Sequence, residues 1–299
     1  MNVAVIPYLG ESMSLLAAVV WAIAVICFKK SGEAVHPIGL NLYKDLLAAV
    51  LFVPTIYLWG EELFLDAPAA DYLILLASGA LGIGIADTLF FACLNRLGAG
   101  LTAIIDCFYS PFIIVFSMIW LGERLTPLQA VGTILIISAV LTATYHRQTS
   151  HLDRKNLIVG ITYGILAMGT MALGIVMMKP VLNRSPLLWA TEIRLIGGVV
   201  VLLIVLVFYR SRRSVISSML SQKGRVYTIG GSLLGGYLAM VIWLAGMKYA
   251  MVSIAGALNQ TTTIFIFILA ALFLKEKITL PRTIGILLAV SGAILVTFS

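Results

Sequence analysis

The chain has 299 residues, 61% of them apolar and only 11% charged, with a mean hydropathy of +1.06 and a formal net charge of +7. Such a composition excludes an ordinary water-soluble domain, because apolar stretches of about 20 residues, each able to cross a roughly 30 Å hydrocarbon core, follow one another almost without pause. It also removes any need for nucleic acid as the partner of the basic excess, which falls in the short connections, as expected of a protein in a lipid bilayer.

In lipid, every backbone group must be satisfied within its own segment or in a closed barrel, and these stretches are far longer than the alternating strands of about 10 residues used by barrels. The expected class is therefore all-α and integral to the membrane. Ten spans are predicted, at 12–30, 36–59, 71–95, 99–121, 127–145, 157–179, 186–209, 226–248, 251–273 and 281–298. Pro37, Pro127, Pro186 and Pro281 open their helices, where a missing N–H is harmless; Pro111 lies inside the fourth span and is expected to kink it. The longest connections are His146 to Asn156 and Arg210 to Arg225; the second reads as a solvated or headgroup-lying link. Cys27, Cys93 and Cys107 fall within spans without redox or ligand spacing, and His36, His146 and His151 lie at a helix start or in the central linker, so neither a metal nor a cofactor is expected. The first apolar stretch is too long and too poorly flanked by basic residues for a cleaved leader, and it is read as the first span.

Residues 121–145 and 274–298 are related by an internal repeat: Glu123, Thr126, Gly132 and Ser138 recur 153 positions later as Glu276, Thr279, Gly285 and Ser291. The same displacement aligns Gly82 with Gly235, Asp106 with Asn259 and Phe112 with Phe265; in the first two helices a displacement of 150 aligns Lys29 with Lys179 and Lys44 with Arg194. Two five-helix repeats result, over 1–148 and 149–299. An odd number of spans per repeat inverts the second relative to the first, and inverted repeats place a site near the midplane. Fourteen of the 20 Lys and Arg residues fall in connections after odd-numbered spans and four in the others, so the odd connections are expected in the cytoplasm.

Ionisable residues inside spans are costly, roughly 2.5–3.5 kcal/mol even on insertion scales, and mark cavities or partners. Six are present: Lys44, Asp45, Asp87, Asp106, Glu192 and Arg194. They sum to minus two, which invites protons or an amine-bearing solute. Asp87 is the leading candidate, with Phe91 and Asn95 on its face at helical spacing. Asp106 and its mate Asn259, followed by Gln260, form paired polar belts at equivalent depth; interhelical hydrogen bonding explains such belts equally well. Lys44 and Arg194 have acidic neighbours in Asp45 and Glu192, and read either as structural ion pairs or as receptors for a solute carboxylate. The GxxxG pairs Gly160–Gly164 and Gly231–Gly235 suit close helix packing within the bundle or at a homodimer interface.

Two five-helix halves, each closing with an acidic-basic turn (LGERLT, LKEKIT) before a Gly/Ser-containing helix, resemble the EamA domains of the drug/metabolite transporter superfamily over nearly the whole chain. The resemblance implies secondary transport of a small organic solute, often an exported amino acid or related metabolite, through a central cavity. Proton coupling, alternating access and a location in the cell (inner) membrane complete the expectation, for a monomer or homodimer. Multidrug or cationic-compound efflux is the alternative. A membrane enzyme or a channel fits less well, since neither a nucleotide loop, nor a metal-ligand set, nor a nucleophile triad, nor a ringed polar pore is legible.

Overall fold

Every regular element in the described part of the chain is a helix. The structure is a computed structural model, and it describes residues 8–121, 126–145, 153–249, 258–259 and 261–297. The first half contains α1 (Leu9–Ser31), α2 (Pro37–Leu58), α3 (Ala69–Leu97), α4 (Ala99–Asp106), α5 (Tyr109–Leu121) and α6 (Pro127–Tyr145). The second contains α7 (Arg154–Leu182), α8 (Leu187–Phe208), α9 (Arg212–Met219), α10 (from Arg225 to Tyr249), α11 (Thr262–Phe273) and α12 (Leu280–Thr297).

Among the described residues, seven helical stretches are long and apolar enough to cross a membrane: α1, α2, α3, α4 with α5, α7, α8 and α10. Shorter apolar helical stretches at Ala130–Ala139, Thr262–Phe273 and Leu280–Leu295 lie in the fifth, ninth and tenth predicted spans. Glu123, His146, His151, Gln260 and all of 250–257 lie outside the described residues.

Sequence and structure differ in three places, each with a local cause. The fourth span breaks at Cys107–Phe108 instead of bending at Pro111, because a proline ring crowds the carbonyl four residues before it and offers no N–H to bond it; the freed Cys107 carbonyl accepts from the Ser110 N–H at 3.3 Å. The link after α8 contains a short helix, α9, whose Val215 is buried against Gly39 of α2 while its arginines stay exposed. Finally, α3 and α10 each contain a π-helical turn, Ala80–Ile85 and Ser232–Leu238, whose starts lie 152 residues apart and whose ends lie 153 apart. π-turns are rare and leave carbonyls without their usual i→i+4 partners, so the matched pair puts the same backbone irregularity at the same place in both halves.

Packing crosses between the halves. Helix α1 lies along α10 and touches α11, as α7 lies along α3 and touches α5; α2 packs on α8, and α6 packs on α12. Exchanging the halves leaves this pattern unchanged. The connections also sort into two ends: Lys29 donates to the Asn95 carbonyl and Glu276 reaches Ala99 at one end, while Glu61 reaches Leu188 and Asp71 pairs with Arg184 at the other.

Candidate functional site

Helix α2 brings a polar face into an otherwise apolar bundle. Asn41 stands one turn before Lys44 and Asp45, and all three are at most 1% exposed. The Asn41 amide donates to the carbonyls of Ile83 (2.8 Å) and Gly84 (3.1 Å) and to Thr88 Oγ1 (3.1 Å). It thereby bonds carbonyls within the π-turn of α3, and ties α2 to α3 just ahead of Asp87.

The Lys44 ammonium is shared by two carboxylates. It hydrogen-bonds Asp87 Oδ2 and sits 2.8 Å from Asp45 Oδ1, where the contact is one of charge: neither Asp45 oxygen has a well-directed hydrogen bond. A buried charge is tolerated when paired, and here two anions contest one cation. Below the trio lies an aromatic wall. Lys44 Nζ stands 6.0 Å from the Phe91 ring centroid, Phe91 packs 4.8 Å from Phe28, and Trp21 reaches both Phe28 and Phe90. The ammonium thus has a weak second partner in a π face. On its other side the Lys44 stem crosses Gly236, in the π-turn of α10.

Arg194 occupies the corresponding position in the second half. It crosses α3 at Gly79 and Gly82, donates from Nε to Ser78 Oγ at 3.0 Å, and Ser78 in turn donates to the Gly174 carbonyl at 2.6 Å. Arg194 and Asp87 lie within electrostatic range of each other, as do Asp106 and Asp87, and Tyr109 lies within the same range of Arg194 and Asp106. Lys44, Asp45, Asp87, Phe91, Asp106 and Arg194 therefore belong to one region.

The remaining candidates are placed differently. Asn95 lies against Gly32 at the end of α1, away from the trio, with its side-chain oxygen unbonded. Glu192 is buried with Oε2 unbonded, and it makes no ion pair with Arg194 among the described residues, since positions two apart on a helix face different ways. Asn259 is half-buried beside the buried Thr262 and Thr263, the latter donating to the Ala103 carbonyl at 3.4 Å. Sequence reasoning missed Asn41, Ser78 and Thr88, neutral residues for which the nearby glycines of the two π-turns are the one available signal.

Outside this region, two carboxylates cap helices of the opposite half. Glu276 accepts from the N–H groups of Ala99 (2.7 Å) and Gly100 (3.2 Å) and pairs with Arg282 at 3.4 Å. Gly98 makes room: its φ is +82°, and a Cβ there would stand 2.6 Å from Glu276 Oε1. Glu61 accepts from Leu188 (3.1 Å) and Trp189 (3.0 Å) at the start of α8. The acidic residue in the second copy of the repeated turn, Glu276, is thus a helix cap that joins the halves at one end of the bundle.

A polytopic helical bundle in which paired half-molecules surround buried ions is the architecture of a membrane carrier. Comparison with known proteins identifies the family. The model of the EamA-like transporter family matches residues 8–145 and again 158–298, and the chain belongs to that family. It is 24% identical over 283 residues to an "Uncharacterized transporter" of Archaeoglobus fulgidus, covering 95% of this chain and 96% of that one. It is 27% identical over 224 residues to "Uncharacterized transporter YvbV" of Bacillus subtilis, covering 70% and 68%. A solved crystal structure with 15% sequence identity superposes with a TM-score of 0.68 over 96% of this chain and 95% of its own, which shows the shared fold.

Proposed function

We propose that this EamA-like transporter is a secondary active carrier that moves a small organic metabolite, an amino acid or similar solute, by alternating access. Export is the direction and a proton the coupling ion. The observation that carries the reading is the Lys44–Asp45–Asp87 trio, in which two buried carboxylates share one ammonium. Such a cluster holds one negative charge in excess, and a proton or a solute ammonium neutralises it when Lys44 turns from one carboxylate to the other. The matched π-turns and the exchange-invariant packing support ten spans in two inverted repeats over 1–148 and 149–299, rocking about the trio. The charge bias supports a location in the inner membrane with the connections after odd-numbered spans in the cytoplasm.

Cationic-compound efflux is the second reading, favoured by the charge of minus two summed over the six intramembrane ions. Uptake of radiolabelled amino acids and organic cations into proteoliposomes, with and without an imposed pH gradient, separates the two. Saturable, gradient-accelerated amino-acid uptake is expected, together with a loss of gradient dependence in Asp87→Asn. An Asp87→Asn protein with wild-type rate and wild-type pH dependence removes Asp87 from the scheme.

A further inference from the structure

We infer that Arg194 is the receptor for a carboxylate on the transported solute, so that the natural cargo is an amino acid carrying both charges and not a simple organic cation. The inference deepens the carrier reading and rests on it. Its basis is an asymmetry between the halves. In the first half the cation of the second helix has two carboxylates, Asp45 and Asp87; at the repeat-related positions, 150 and 153 residues on, stand Leu195 and Met240. The second half keeps the cation and lacks its anions.

The geometry agrees. Arg194 is 5% exposed, yet no carboxylate lies within 4.0 Å of it among the described residues. Its Nε is held by Ser78, whose own proton goes to the Gly174 carbonyl, so one nitrogen of the guanidinium is anchored to α3. The two terminal nitrogens make no hydrogen bond among the described residues; Nη2 lies close against Gly82, where an added Cβ would stand only 3.3 Å from it. A guanidinium oriented through one nitrogen, with its two terminal nitrogens unbonded, is built to take a planar carboxylate through two parallel N–H···O bonds. Burial without a counter-ion is otherwise strongly unfavourable. Asp87 is the trio carboxylate with some exposure, at 7%, and it lies within electrostatic range of Arg194. A solute with its carboxylate on Arg194 thus has an acceptor for its ammonium in the same region.

The test uses two matched series in proteoliposomes: leucine, leucinamide and 3-methylbutylamine, and phenylalanine, phenylalaninamide and phenethylamine, all radiolabelled. The wild-type protein is expected to take up an amino acid saturably and its amide and amine at least about tenfold more slowly, the discrimination a charge-assisted bidentate pair supplies. Arg194→Gln removes the amino-acid signal, and Arg194→Lys, which keeps the charge but not the fork, retains part of it. Folding is read independently from thermal unfolding in detergent. The transported amino acid raises the wild-type Tm and not that of Arg194→Gln, whose ligand-free Tm is at or above wild type because a buried charge without a counter-ion has gone. Equal transport of amines and amino acids, unaltered by Arg194→Gln, overturns the assignment and leaves the carrier reading standing. A ligand-free Arg194→Gln protein that melts well below wild type shows the guanidinium satisfied within the fold, and also overturns it. Wild-type protein without saturable uptake of any of the six solutes overturns the amino-acid carrier on which the inference rests.

Discussion

Lys44 illustrates how one side chain holds several others in place. Replacing it with methionine strands two carboxylates in a dry interior, and breaking a buried pair in this way costs about 3–5 kcal/mol. Lys44→Met is therefore expected to lower the detergent Tm sharply, whereas the triple variant Lys44→Met, Asp45→Asn, Asp87→Asn recovers most of the loss; a triple variant no better than the single one contradicts the shared-ammonium description. The identity of these residues was legible from the sequence, because a charge within an apolar run is conspicuous. Their partnership was only half legible. The notion that each cation pairs with its acidic neighbour holds for Lys44 and Asp45, which are adjacent, and not for Arg194 and Glu192, whose spacing turns them apart. The neutral Asn41 and Ser78 left no trace in a search for charge, though they orient the α3 backbone and the guanidinium respectively.

At the scale of helices, the ends carry the information that hydropathy lacks. Glu276→Ala removes the cap on α4 and is expected to cost about 0.5–2 kcal/mol, measured by thermal unfolding. Gly98→Ala is expected to cost more than a glycine replacement in an ordinary turn, since φ is positive there and the new Cβ meets the Glu276 carboxylate. At the start of α2, His36 Nδ1 accepts from the Ile38 N–H at 3.3 Å, and burial lowers the His36 pKa from its ordinary value. The neutral ring is the one the fold prefers, so its contribution is fully present above the ordinary histidine pKa near 6.5 and is lost as pH falls below it. Wild type is expected to melt earlier at pH 5.5 than at pH 7.5, and His36→Asn, which caps without titrating, to lose His36's share of that difference. Helix positions were readable because lipid demands long apolar runs. The π-turns and the break before Pro111 were not, because composition reports the surroundings of a segment and not the period of its hydrogen bonds.

For the whole molecule, the two sets of end contacts make the topology testable. Lys30, in the last turn of α1, and Asp66, in the connection between α2 and α3, lie at opposite ends of the bundle. In a background without Cys27, Cys93 and Cys107, a membrane-impermeant maleimide applied outside intact cells is expected to label Asp66→Cys and spare Lys30→Cys. The reverse pattern inverts the orientation drawn from the charge bias. The repeat and the family resemblance were legible in the sequence because duplication leaves matching residues at a constant displacement; the crossing of contacts between halves was not, because a displacement says which residues correspond and nothing about which ones touch.

The two capping carboxylates have a consequence for heredity. Glu276 closes a helix of the first half and Glu61 a helix of the second, so neither half is complete without a side chain encoded in the other. A gene cut between the repeats yields fragments that each have an unfinished helix end until they meet. The two copies differ in sequence, but each is finished at one helix end by a carboxylate of the other.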